Sequence, residues 1–518
     1  MNFKVTERYM QLPVSYADEK QWVEIRHGNE VVTQFEARLS SAPDYYSPVD
    51  LASYIGQEIT IEANSLPDGF VFKETIRDIS NHPLRPRIHF TSQYGWLNDP
   101  NGLFYFDGTY HLFYQHNPYG QDWGNMHWGH AISRDLLTFE ELGDALFPDE
   151  EGTMFSGSAI VDFENRSGLK KGEHPPILLY YTSAGNFSPL SKDKPFTVRA
   201  AVSTDGGKVF YKCGPSLVPN MQLDDRDPKV VWVPELEAYV LAIYKGGPGS
   251  HKYALYRSDN LLDWKEFQAV ELVPDAECPD LIELFVDGDP NQRRWVFWGA
   301  SGYYRVGQFQ YGQLKLSDTT HHNTIFEKEP ILYAAQTYSN APLQGEAIQF
   351  SWMRCPTENV PFSMQMSFPF ILGLTKAGEE EVLTVRPADC ALDGFAHQTR
   401  LQGATIEKVN ALFERATIDA GVVKLSLSDA PFTLHIGEIN VAYKDGEIST
   451  PFGNYPIDMK TAIDLAVVVD GDLLELFLQN GRLVLAGRPN MQRTGKKWRL
   501  NFADDLSIDA ALYSLDEL

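Results

Sequence analysis

Hydrophobic and polar positions alternate with a period of two along much of the chain. Leu103-Phe104-Tyr105-Phe106 breaks at Asp107-Gly108 and resumes as Thr109-Tyr110-His111-Leu112-Phe113-Tyr114. Asp-Gly between two β-rich runs is a strong hairpin signal. Residues 1 to about 85 show short runs of the same kind, such as Tyr54 to Ala63, separated by polar turns. Asn81-His82-Pro83-Leu84-Arg85-Pro86 has the composition of a linker. These features predict a small β domain over 1–85. From residue 353 onward the pattern changes. Leu465 to Leu485 reads as strand, turn, strand, turn, strand, with turns at Asp470-Gly471 and Asn480-Gly481. A β-sandwich over 353–518 is the expectation.

The middle region, 86–352, contains an approximate repeat. Ser133-Arg134-Asp135-Leu136-Leu137 returns as Ser203-Thr204-Asp205-Gly206-Gly207 and again as Ser258-Asp259-Asn260-Leu261-Leu262. Aligned on Asp135, Asp205 and Asp259, the copies lie 70 and 54 residues apart. Such an uneven period suits a β-propeller, whose blades tolerate loop insertions. Strand groups begin near Asp99, Ser156, Asp227, Glu277 and Tyr333. The predicted fold is therefore all-β: a five-bladed propeller, a C-terminal sandwich and an extra N-terminal β domain. In a propeller the innermost strands line one axial channel, so residues distant in sequence converge there.

Composition narrows the function. A formal net charge of −26 opposes nucleic acid and anionic membrane as partners. No apolar run is long enough to span a bilayer. Cys213, Cys278, Cys355 and Cys390 are widely spaced, without a C-x-x-C pair, so neither a disulfide framework nor a zinc knuckle is expected. Met1 to Arg8 lacks the apolar segment of a secretory signal. Cytoplasmic placement is the expectation, with secretion left open for a truncated chain. His127 and His130 are spaced like a metal pair, but no third ligand is evident and packing is the expected role. No metal or cofactor is expected, and oligomeric state is not legible.

The chemistry lies in three segments: Trp96-Leu97-Asn98-Asp99-Pro100-Asn101-Gly102, Arg226-Asp227-Pro228 and Glu277-Cys278-Pro279. Each sets a carboxylate within two residues of a proline. Proline biases the preceding residue toward extended backbone, which places Asp99 and Asp227 at strand starts or loop edges. Two carboxylates brought together can serve as nucleophile and acid/base in glycoside hydrolysis, and a retaining pair stands about 5–5.5 Å apart.

Taken in order, these segments resemble glycoside hydrolase family 32, the invertases, inulinases, levanases and related β-fructofuranosidases, with Leu97 where the family commonly has Met. Phe113-Tyr114-Gln115, Trp123-Gly124, His127-Trp128-Gly129-His130, Phe155-Ser156-Gly157-Ser158 and Tyr333 to Tyr338 extend the likeness from about residue 88 to the end. The resemblance implies a propeller followed by a sandwich and a small carbohydrate as partner. It implies Asp99 as nucleophile, Glu277 as acid/base and Asp227 as transition-state stabiliser. Asn98 and Gln115 are expected to bind sugar hydroxyls, and Trp96, Trp123 and Trp298 to form apolar walls. Cys278 is expected to position Glu277, and Phe155, Ser156, Arg226 and Tyr333 to join the same pocket. The implied activity is a retaining exo-β-fructosidase acting on sucrose, fructo-oligosaccharides, inulin or levan. A fructosyltransferase and a catalytically inactive fructan-binding protein are the alternatives.

Overall fold

The computed structural model describes residues 1–219, 221–322, 331–457, 463–479, 481–503 and 506–516. Asn480, in the second turn expected within 465–485, lies outside them. The first 73 residues form a four-stranded and a three-stranded sheet. Met10, Leu12, Val23, Ile25, Phe35 and Ile61 alternate with polar neighbours and fill the space between the sheets.

Five antiparallel meanders follow. Their innermost strands are β1 (Gly95–Phe106), β2 (Thr153–Val161), β3 (Arg226–Val233), β4 (Asp280–Phe285) and β5 (Leu332–Thr337). Each packs on the next, and β5 returns to β1, closing a ring. The ring is sealed where Ser339 N–H donates to Leu103 O at 2.9 Å and Tyr105 N–H donates to Ser339 O at 3.0 Å. The hairpin foreseen at Asp107-Gly108 joins β1 to Thr109–Asn117, with both turn residues at positive φ (48° and 76°).

The repeat is a turn motif that ends the third strand of three blades. Ser133 donates to Asp135, Ser203 to Asp205 and Ser258 to Asn260, at 3.1, 2.6 and 3.1 Å. The accepting oxygen also takes two backbone N–H groups from the following turn. Asn260, not Asp259, is thus the structural counterpart of Asp135.

The boundary expected at 352/353 cuts through the fifth blade. Its outer strands are Phe370–Ala377 and Glu380–Pro387, in one sheet with β5 and Ala347–Met353. The change of pattern at 353 marks an excursion between strands. Within it Phe362–Ser363 pairs in parallel with Gly95 and Trp96 of β1. Sandwich strands run from His397 to Ser514 as a six-stranded and a five-stranded sheet. Buried Asp470 of the sandwich accepts N–H bonds from Arg87, Ile88 and His89 at 2.8–2.9 Å, fixing it to the start of the propeller. Burial lowers the His89 pKa, but the hydrogen bond to Asp470 and the nearby Glu475 carboxylate, 3.7 Å away, outweigh it and raise it to about 9.

Below the channel mouth lies a buried polar belt. Lys229 of β3 pairs with Asp280 of β4 at 2.9 Å and donates to Thr337 O of β5 at 3.0 Å. Asp280 also accepts from Thr337 N at 2.7 Å. Ser158 of β2 bridges Pro228 O and Val230 N of β3, and Gln336 of β5 donates to Gly157 O of β2. Removing one partner of a buried pair strands the other charge, at a cost of about 3–5 kcal/mol. Lys229→Met is therefore expected to lower unfolding free energy by about 3 kcal/mol in urea titration. A loss below about 1 kcal/mol would contradict the belt's role.

Candidate active site

Four innermost strands break register where they meet the channel mouth. The irregularities fall between Leu97 and Pro100, Phe155 and Gly157, Arg226 and Lys229, and Tyr333 and Gln336. A bulge turns a side chain that would otherwise follow the pleat. These bulges contain Asn98, Asp99, Ser156, Asp227 and Pro228. Blade four reaches the same place by left-handed backbone just before β4, with φ of 56° at Glu277 and 34° at Cys278.

Asp227 has φ 65°, against the extended conformation expected before Pro228. Its N–H donates to Thr182 Oγ1 at 3.0 Å, which helps hold this costly geometry. Two motif glycines have steric reasons. A Cβ on Gly102 (φ 53°) would lie 2.8 Å from the Trp128 ring, and one on Gly157 would lie 1.9 Å from Tyr180 O.

The three carboxylates share partners. Asp99 accepts from Ser156 Oγ at 2.7 Å and Asn98 Nδ2 at 3.1 Å. Cys278 N–H donates to Asp227 at 3.1 Å, and its Sγ lies 3.5 Å from Asp227 and 3.7 Å from Asp99. Glu277 accepts from Arg226 Nη2 and from the Tyr333 hydroxyl, both at 2.5 Å. Burial pushes Asp99 upward from its ordinary value, opposed by the bonds from Ser156 and Asn98. Burial also raises Asp227, to about 7, against the pull of Arg226 and helped by repulsion from Glu277 and Asp99. Burial and the neighbouring carboxylates raise the Cys278 thiol, keeping it a neutral donor.

These groups line a cavity of about 410 Å³. Asn98, Asp99, Gln115, Trp123, Phe155, Ser156, Arg226, Asp227, Glu277, Cys278 and Tyr333 all contribute to its wall. Trp96 stands one layer back, donating from its indole N–H to Asn98 Oδ1 at 2.9 Å and meeting Trp352 edge-on. Trp298 is not an apolar wall of this cavity. It is buried between blades four and five, stacking on Tyr304 and packing with Leu332, Ala335 and Phe370. Gln115 spends its amide N–H on Met154 O at 2.8 Å.

Phe187, Asp224 and Trp352 also line the cavity and were not anticipated. Asp224 stands two residues before Arg226 and offers its carbonyl to that guanidinium at 2.6 Å; the neighbourhood of the Arg-Asp-Pro motif was the signal available. Trp128 is buried core, and His130 pairs with His111 at 3.0 Å while stacking on Phe113. Among the described residues no cluster of His, Cys, Asp or Glu is arranged to hold a metal ion.

The family model for the glycosyl hydrolases family 32 N-terminal domain matches residues 89–387, the span of the five blades. The chain belongs to glycosyl hydrolase family 32. Among family 32 relatives, a levanase of Bacillus subtilis is 39% identical over 289 residues, covering 52% of this chain and 41% of the levanase. An extracellular exo-inulinase of Aspergillus awamori is 31% identical over 403 residues, covering 67% of this chain and 72% of the inulinase. The solved structure of the Aspergillus awamori exo-inulinase superposes with a TM-score of 0.69 at 25% identity, over 84% of this chain and 98% of that one. The chain thus spans less than half the length of the levanase it matches.

The raised Asp227 has a consequence for stability in this family 32 chain. The folded state binds this proton more tightly than an unfolded chain, where the value is near 4. Stability is therefore lost as pH rises from about 4 to about 7 and Asp227 ionises. Asp227→Asn removes that cost. Above pH 7 it is expected to be more stable than wild type by about 1–3 kcal/mol, with the gap closing toward about pH 4. Thermal unfolding at both ends of this range measures it; a variant no more stable at the alkaline end would contradict the assignment.

Proposed function

We propose that the chain is a retaining exo-acting β-fructosidase that removes a terminal β-fructofuranosyl unit from sucrose or from fructan chains. One observation carries this reading: Asp99, Asp227 and Glu277, delivered by three different blades, line a single cavity whose size suits one sugar ring with part of a second. The relatives described as levanase and exo-inulinase support the substrate class.

Each residue has a role that its surroundings suit. Asp99 attacks C2, forming a C2–O bond as the glycosidic C–O bond breaks, while Glu277 gives its proton to the leaving oxygen. Water then attacks C2 of the fructosyl-enzyme, Glu277 takes its proton, and Asp99 leaves as carboxylate with the configuration retained. Ser156 and Asn98 favour the ionised Asp99 that attack requires. Tyr333 and Arg226 orient the two oxygens of Glu277. Asp227 accepts hydrogen bonds from ring hydroxyls, and these strengthen as positive charge builds on the ring. Asn98 supplies a further polar contact for the hydroxyls.

Asp99→Asn removes the nucleophile while keeping size. Release of fructose from sucrose, kestose, inulin and levan is expected to fall by about a thousandfold or more, with the fold intact by circular dichroism. Proton NMR of wild-type product should show the β-anomer first. A variant retaining most of the rate, or an inverted first anomer, would overturn the mechanism. Abundant oligosaccharide at high sucrose, with little free fructose relative to glucose, would favour a transferase.

A further inference from the structure

The N-terminal sheet ends in an edge strand, Glu30–Ala37, and propeller loops cover it. Asn125 pairs with the backbone of Glu36 in both directions, Glu36 N–H donating to Oδ1 and Nδ2 donating to Glu36 O, each at 2.8 Å. This side-chain amide stands where a neighbouring strand would. Phe35 stacks on Tyr119 with centroids 3.9 Å apart, and Tyr119 belongs to the hydrophobic core of the N-terminal domain. Arg38 and Lys20 hold the Asp122 carboxylate at 2.7 and 3.2 Å. Gln34 reaches a second loop, accepting from Leu190 N–H at 2.8 Å. All these contacts go to the two loops that carry Trp123 and Phe187.

Those two rings stand at the mouth of the cavity. They are 44% and 40% exposed, meet edge to face at 5.7 Å, and lie 5.8 and 4.9 Å from the Phe155 ring. Exposed aromatic faces at a pocket mouth ordinarily cost solvation and need a reason. Asp227, deeper in the cavity, is 6% exposed. A fructosyl unit seated against the carboxylates would direct its leaving group to the mouth.

Resting on the reading of function above, we infer that the N-terminal domain is part of the substrate-binding wall. It holds Trp123 and Phe187 in place to receive the C–H face of the sugar ring beyond the cleaved bond. Gln34 and Arg38 are positioning residues in this account. They touch the rim loops, and the rings touch the sugar.

The test uses the full chain carrying Gln34→Ala and Arg38→Ala, surface changes that leave the Phe35–Tyr119 core contact in place. Two substrates are compared: β-fructofuranosyl fluoride, which has no ring beyond C2, and kestose. For kestose, kcat/KM is expected to fall about three- to tenfold, chiefly through KM. For the fluoride it is expected to stay within about twofold. Trp123→Ala, which removes a ring of the cavity wall itself, should lower kcat/KM for kestose at least as far. Parallel loss on both substrates, or no loss on either, would overturn the inference while leaving the function standing. A wild-type protein that releases no fructose from either would end the functional reading and this inference with it.

Discussion

The closed ring of five innermost strands, braced by the Lys229–Asp280 pair in its interior, is the constraint on which the rest depends. Lys229 and Asp280 are almost fully buried and belong to different blades, and Thr337 of a third blade completes their hydrogen bonds. A charge pair in this setting is tolerable only with its geometry fixed and its remaining donors and acceptors used. It therefore sets the relative position of blades three, four and five within narrow limits. Directly above it the same strands bulge and enter left-handed backbone at Asp227, Glu277 and Cys278. Such conformations persist when the surroundings over-determine them. The belt below is what makes the irregular mouth above possible.

Electrostatics at the mouth follows from this forced proximity. Three carboxylates crowded into one cavity cannot all ionise cheaply. The protein differentiates them by neighbours. Glu277 has the guanidinium of Arg226 and the hydroxyl of Tyr333; Asp99 has neutral donors, Ser156 and Asn98; Asp227 is the most enclosed, and burial raises it to about 7. Cys278 fits between Asp99 and Asp227 because a neutral thiol and an N–H donate without adding charge. A serine there would donate as well, but with a shorter reach than the 3.5 and 3.7 Å that Sγ spans here. This is a role in positioning, not nucleophilic chemistry.

Much of this was legible from residue order. Asp-Gly at 107–108 announced its hairpin, and the five strand-group starts coincide with β1 to β5 or, for Glu277, the turn just before β4. Asn98, Asp99, Ser156, Asp227 and Tyr333 reached the cavity wall because innermost strands carry them, while Gln115 comes from a second strand and Trp123 from a loop. Phe187 and Trp352 escaped notice for a physical reason. One lies in a connecting loop and the other on a second strand, and only the packed blades bring them to the mouth. Trp298 misled in the opposite sense, since its letters do not tell that it packs against the neighbouring blade instead of reaching the channel mouth. The sandwich boundary failed because a parallel pairing of Phe362–Ser363 with β1 interrupts the fifth blade, and pairing between residues as distant as Gly95 and Phe362 leaves no local trace. Likewise nothing in Gln34 or Arg38 as letters points to Trp123. Their connection exists only through the covered edge strand of the N-terminal sheet.

In the proposed reaction Asp99 attacks a sugar ring held against Asp227 and Glu277. The most direct measurement is mass spectrometry of peptides from protein acid-quenched during turnover of β-fructofuranosyl fluoride. A peptide containing Asp99 that carries the mass of one fructosyl unit is expected. That adduct on the peptide containing Glu277, or on the one containing Asp227, would contradict it.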